Sequence, residues 1–239
     1  MKTAVITDIH GNLEALRAVL DHARGRGVDD FVCLGDVVGY NADPGACVDV
    51  IRALPGARCL LGNHDAMALG SGPLLGINPL AREAMIWTRD RLDDARKAWL
   101  SGLPLTCEDA DAQYCHASLA DPPAWLYVHT EHNAIRHFAR QHARVGFVGH
   151  SHVMFAWRDD GERLTRTSDR ELDLRADGRW LVSVASVGQP RDGDRRTGYA
   201  LLDRDAGTVT HHRLDYDIAG ARSKILAAGL PAGLAERLG

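Results

Sequence analysis

Five short apolar runs in this chain each stop abruptly at polar residues that can bind a metal ion. Ala4-Val5-Ile6 gives way to Asp8-Ile9-His10, Phe31-Val32-Cys33-Leu34 to Gly35-Asp36, and Arg58-Cys59-Leu60-Leu61 to Gly62-Asn63-His64-Asp65. Gln113-Tyr114-Cys115 ends at His116, and Val145-Gly146-Phe147-Val148 ends at Gly149-His150-Ser151-His152. Short apolar runs bounded by turn formers read as buried strands. The first is followed by Leu13, Leu16, Val19, Leu20 and Ala23 at helical spacing. The second leads to Asp43-Pro44, a helix start with Asp43 as N-cap, then to Cys47, Val48, Ile51 and Leu54. Strands alternating with helices predict an α/β fold whose strand ends converge on one edge, so residues far apart in sequence can share a crevice there.

The segment of about 66–105 interrupts this alternation, first with a Gly- and Pro-rich stretch holding Pro73 and Pro79. A helical face of Ala81, Ala84, Met85, Thr88 and Leu92 follows, with a stop at Gly102 and Pro104. It reads as a cap-like insertion beside the crevice. Between Arg158 and Trp180, Asp160-Gly161 and Asp177-Gly178 are hairpin signals that predict exposed strands of a second sheet, completed by Leu181–Ala185 and Tyr199–Leu202. Residues 219–238 predict two short helices parted at Gly229-Leu230-Pro231. With no repeat or linker, the expectation is one domain over 1–239.

Composition narrows the function. Lys and Arg number 28 against 32 Asp and Glu, a net charge of −4, which argues against a general affinity for polymeric nucleic acid. The five cysteines, Cys33, Cys47, Cys59, Cys107 and Cys115, are odd in number, scattered and without a CxxC pair, as expected of reduced core residues. No stretch approaches the roughly 20 apolar residues of a membrane span, and the start of the chain does not read as a secretory leader. The expectation is a cytoplasmic protein without a membrane partner; its oligomeric state is not written in the sequence.

The strand-end residues Asp8, His10, Asp36, Asn63, His64, Asp65, His116, His150 and His152 are all oxygen or imidazole donors. Such a mixture suits Mn, Fe, Co, Ni or Zn better than Mg or Ca, which favour oxygen alone. Any one of these residues could be a helix cap or a structural histidine; their joint recurrence at five strand ends is what points to a metal centre.

In order, the motifs DxH, GD, GNHD, a lone H and GHxH resemble those of the calcineurin-like metallophosphoesterase superfamily. The segment Ser186-Val187-Gly188-Gln189-Pro190-Arg191-Asp192 is similar to one in its small prokaryotic members. The resemblance implies a four-layer αββα sandwich of two mixed sheets. It also implies one metal ion held by Asp8, His10, Asp36 and His152, and a second held by Asp36, Asn63, His116 and His150, with Asp36 bridging. Two divalent ions against two carboxylates would attract a phosphate despite the acidic chain and supply hydroxide near neutral pH. The resemblance gives His64 the role of stabilising or protonating the leaving group, with Asp65 orienting it.

Arg191 either meets a substrate phosphate or pairs with Asp192 and Asp194; Tyr40 and Asn78 are weaker candidates for the pocket rim. The remaining histidines, His22, His129, His132, His137, His142, His211 and His212, match no motif and read mostly as surface residues. The resulting expectation is a dinuclear metal-dependent phosphodiesterase for a small nucleotide or related phosphate ester. Alternatives are a dinucleoside polyphosphate hydrolase, a phosphomonoesterase or protein phosphatase, and a non-catalytic scaffold of the same fold. Against the protein-phosphatase alternative, Gly35-Asp36 is followed by Val37-Val38-Gly39-Tyr40, without the arginine of a GDxxDRG pattern.

Overall fold

Alternation along the strands already divides the core into layers. In β1 (Lys2–Ile6), Ala4 and Ile6 face a cluster containing Leu16, Val19 and Val48, whereas Val5 faces a second cluster with Tyr114, Phe147 and Val182. That period of two is what a strand covered on both sides requires. The computed structural model describes residues 1–71 and 77–239, so Pro73 lies outside the described residues.

β1, β2 (Asp30–Cys33) and β3 (Arg58–Cys59) run parallel in the order β3-β2-β1. Antiparallel strands β11 (Thr197–Asp203), β12 (Thr208–Leu214) and β9 (Glu171–Asp173) extend this sheet beyond β1. In the second sheet β5 (Ala112–Cys115), β6 (Val145–Val148) and β10 (Arg179–Ser183) are parallel. β4 (Thr106–Glu108) pairs antiparallel at one side, and β7 (Phe155–Asp159) with β8 (Leu164–Thr167) at the other. Tyr114, Phe147, Trp180 and Val182 of one sheet meet Val5, Val32, Ala200 and Leu202 of the other between them.

Helices α1 (Leu13–Gly25) and α2 (Pro44–Arg52) cover the first sheet, and α6 (Glu131–Phe138) covers the second through Ala134 and Phe138. The result is the αββα sandwich of two mixed sheets. The chain between β3 and β4 forms α3 (Asn63–Ala68), α4 (Pro79–Arg91) and α5 (Asp94–Ser101). Met85, Leu92 and Leu100 join the core of α1 and α2. Ala81 and Ala84 pack against α7 (Ile218–Ala227) and α8 (Ala232–Glu236) through Ile225 and Leu234. These helices are therefore built into the outer layer beside α2.

Three expectations are corrected. Tyr199–Leu202 does not complete the second sheet; it lies in β11, antiparallel to β1, because a run buried on both faces does not encode which sheet receives it. Asp160-Gly161 closes the β7–β8 hairpin, but Asp177-Gly178 joins β9 of one sheet to β10 of the other, since a turn signal fixes only the local bend. His137 and His211 are buried, not on the surface. His211 shares the inward face of β12 with Val209, and burial lowers both imidazoles to about 3, keeping them neutral.

Candidate metal centre

The carboxyl ends of β1, β2, β3, β5 and β6 open toward one edge of the sandwich, and the loops there are stitched together by backbone bonds. Asp8 N donates to Gly35 O, His10 N to Asp36 O, and Gly149 N to His116 O. Asp8 also ties the two sheets: its Oδ2 accepts from His150 N at 3.0 Å and from Thr7 Oγ1 at 2.9 Å. A Cβ on Gly35 would lie 2.5 Å from Gly62 N, so the β2 and β3 loops can approach this closely only with glycine at Gly35.

Asp8, His10, Asp36, His150 and His152 all have left-handed backbone, with φ between 51° and 62°. Asp and His tolerate this region better than most residues, yet it costs roughly 1–2 kcal/mol each. Such strain persists where the surroundings over-determine the geometry, and functional sites are where it clusters.

The imidazoles are oriented from behind. His10 Nδ1 donates to Val38 O at 3.1 Å, His116 Nδ1 to Leu34 O at 3.0 Å, and His152 Nδ1 to Gln189 O at 2.6 Å. Each ring then turns Nε2 toward the crevice, the atom a metal ligand would use. The Nε2 atoms of His10 and His152 face each other at 3.1 Å, with Asp8 Oδ1 at 3.8 and 3.4 Å. His116 Nε2 lies 3.1 Å from Asn63 Oδ1 and 3.4 Å from Asp36 Oδ2, and the same Asp36 oxygen is 3.6 Å from His10 Nε2. Donors about 2.0–2.2 Å from one ion lie roughly 3.0–3.5 Å apart around it. The separations in these clusters are those of ligand atoms around a shared cation.

Among the described residues Asp8 Oδ1 and Asp36 Oδ2 are buried without a hydrogen-bond partner, and both residues belong to these clusters. A divalent ion would answer both atoms, whereas a solitary buried carboxylate oxygen is strongly disfavoured. Asp8, His10 and His152 bring ligand atoms within 4.8 Å of one another, as do Asp36, His116 and His150. Each group holds three of the four residues of one expected ligand set, and Asp36 Oδ2 also lies 3.6 Å from His10 Nε2. His64 groups equally with His10 and Asp36, so distance alone does not separate it from the ligands.

Burial lowers His10, His64, His150 and His152, keeping these rings neutral. His116 goes the other way: burial opposes its charge, but the carboxylates of Asp36, Asp8 and Asp65 outweigh it and push the ring up to about 9. Asp36 is held well below the usual carboxylate range; burial raises it, but His116, His64 and His10 prevail. Burial pushes Asp8 up to about 6, and Asp65 up to about 7 with Asp36 adding to it. The carboxylates thus compete for the positive charge available in the crevice.

Asp65 does not hydrogen-bond the His64 ring. Its two oxygens accept from Val38 N and Gly62 N, both at 3.1 Å, and so clamp the β2 loop to the start of α3. His64 Nδ1 has no partner; the ring sits between His10 and Tyr40, with centroids 4.7 and 4.6 Å away. Arg191 does not pair with Asp192 or Asp194, which bind Arg213 and Arg196. Its guanidinium instead reaches Tyr40 Oη at 3.2 Å and Gln189 Oε1 at 3.0 Å. Tyr40, Asn78, Gln189, Arg191 and Arg237 line an open cavity of about 360 Å³.

Two aromatic residues escaped the sequence reading. Trp125 meets the His116 ring edge-on at 5.7 Å, and Tyr127 stacks on His150 at 4.2 Å. A pair of aromatics just after Pro122-Pro123, in the loop following His116, is the signal that could have found them.

Comparison with known proteins agrees with this arrangement. A family model described as the calcineurin-like phosphoesterase superfamily domain matches residues 1–207. An uncharacterized protein of Methanocaldococcus jannaschii is 37% identical over 98% of this chain and 96% of its own length. The crystal structure of a metallophosphoesterase from Sphaerobacter thermophilus, 39% identical, superposes with a TM-score of 0.88 over 100% of this chain and 98% of that one. A symmetrical bis(5'-nucleosyl)-tetraphosphatase of Erwinia tasmaniensis is 31% identical over 52% of this chain and 46% of its own.

Proposed function

The chain belongs to the calcineurin-like phosphoesterase superfamily, and from that premise we propose that it is a dinuclear metal-dependent phosphodiesterase acting on a small nucleotide or related phosphate ester. The observation that carries the reading is the pair of buried, unpartnered oxygens, Asp8 Oδ1 and Asp36 Oδ2, among imidazoles oriented by backbone carbonyls. Asp8, His10, Asp36 and His152 would hold one ion, and Asp36, Asn63, His116 and His150 the other. When bound, such a pair supplies Lewis acidity toward phosphoryl oxygens and a water-derived nucleophile at neutral pH.

The protein's own groups divide the remaining work. His64, buried beside Tyr40 and His10, would stabilise or protonate the departing oxygen. Asp65 would act through the backbone, keeping the loop that carries Val38 against the start of α3. Arg191, pre-oriented by Gln189 and Tyr40, would reach a phosphate oxygen from the rim. Likeness to the tetraphosphatase over about half the chain supports a second reading, hydrolysis of a dinucleoside polyphosphate.

The test is metal analysis of the purified protein together with a panel of mono-, di- and dinucleoside esters, each metal being returned to stripped enzyme. We expect two equivalents of a transition ion and fastest turnover of diesters. Two bound ions with no ester cleaved would favour a non-catalytic scaffold of the same fold, and no bound metal under any condition would end the metalloenzyme reading.

A further inference from the structure

Next to Asn63, on the side away from Arg191, lies a second cavity of about 550 Å³. Its walls include Leu61, Met67, Leu105, Pro123 and Trp125, and among the described residues none of its lining is charged. The cavity begins where the metal centre ends: Asn63 Oδ1 is 3.1 Å from His116 Nε2, and Trp125 rests against the same imidazole. Trp125 reaches that position with left-handed backbone, φ 53°, a conformation that a bulky side chain adopts only when its surroundings enforce it. The structure therefore holds an indole at the mouth of an apolar slot directly beside the site.

A phosphodiester has two arms, and the two cavities differ in what they can accept. The Arg191 side offers guanidinium, phenol and amide groups; the Trp125 side offers mostly hydrocarbon and one indole, with the Asn63 amide and Ser71 hydroxyl as its polar groups. We infer that the Trp125 slot is a specificity subsite for a planar, uncharged aromatic arm of the substrate, such as a nucleobase, while the phosphate lies over Asp36 and Asn63. The slot volume suits such a group, and aromatic stacking is tolerant of which base enters. This inference rests on the phosphoesterase reading and deepens it.

The experiment measures, by calorimetry on the metal-loaded enzyme, the affinities of phenyl phosphate and methyl phosphate. These share one phosphate and differ only in the arm. Wild type should favour phenyl phosphate by about tenfold or more, the scale of one ring stacked on another. Trp125→Ala should bring the ratio toward one and Trp125→Phe should retain most of it. Leu105→Trp, which fills the slot from another lining position that is half-buried, should also bring the ratio toward one. Metal content is read alongside, because Trp125 touches His116. A wild-type ratio near one, or a ratio unmoved by both Trp125→Ala and Leu105→Trp, overturns the slot while leaving phosphate binding intact. Failure of wild type to bind either phosphate overturns the phosphoesterase reading and the slot with it.

Discussion

The two ends of the β-sandwich handle carboxylates in opposite ways. At the end where β1 and β2 begin, Asp30 and Asp109 bind Arg58 at 2.5 and 2.8 Å, and Arg204 binds Asp109 at 2.7 Å and Asp111 at 3.0 Å. Every one of these carboxylates has a guanidinium, and the group fastens the two sheets. At the other end Asp8 and Asp36 are more deeply buried, yet among the described residues neither has an arginine or lysine within 4 Å, and each keeps an oxygen unpartnered. The first end is a finished structure. The second is complete only with added positive charge, so the difference separates carboxylates that hold the fold from carboxylates reserved for chemistry.

Asp36→Asn is the sharpest way to break that contrast. Asn Oδ1 can still accept the His64 N–H that Asp36 receives at 2.7 Å, so local geometry is retained. Its amide would replace the unpartnered oxygen near His10 and His116. We expect metal content to collapse and diester turnover to fall by about a thousandfold or more. Metal analysis and kinetics report the two parts; a variant that loses activity yet keeps both ions would show Asp36 to be structural, like Asp109.

His64→Ala tests a residue on the same side that is not required as a ligand. It should keep two ions and lose about a hundredfold in turnover of alkyl diesters, the range of general-acid assistance, but much less on activated aryl esters whose leaving group needs little help. Equal losses on both ester classes would remove the leaving-group role. Loss of an ion would instead assign His64 to the cluster it forms with His10 and Asp36.

Much of the site was legible because its chemistry is written as residue type at strand ends. Asp8, His10, Asp36, Asn63, His116, His150 and His152 follow their apolar runs directly, and parallel strands bring those ends together. What was not legible depends on backbone direction. The carbonyls of Leu34, Val38 and Gln189 that orient the imidazoles carry no side-chain signature. Asp65 reads as a partner for its neighbour His64, but the start of α3 turns it toward the backbone of Gly62 and Val38. Likewise β11 and β10 are both buried runs, and only register with β1 or β6 tells which sheet each joins. The buried His211 differs from the site histidines in having, among the described residues, no carboxylate paired with it, a distinction made entirely by tertiary neighbours.

The smallest expected effect comes from the opposite end. Asp109→Ala removes the acceptor for Arg58, Arg204 and the Tyr114 hydroxyl, leaving part-buried donors without it. Stability should fall by roughly 1–3 kcal/mol, the scale of a charged hydrogen-bonding group lost from a partly buried network. Its carboxyl is held below the ordinary 3.8 because Arg58 and Arg204 outweigh burial. A depressed carboxylate contributes stability that is present above the unfolded-state value and lost as pH falls through the folded-state one. The gap in melting temperature between wild type and Asp109→Ala should therefore be constant from pH 7 to about pH 5 and narrow below about pH 4. Metal content and turnover at pH 7 should not change, since the network sits at the far end of the strands from Asp8. A variant that lost metal in proportion to its stability would mean the two ends act as one unit, and the division of labour between them would have to be abandoned.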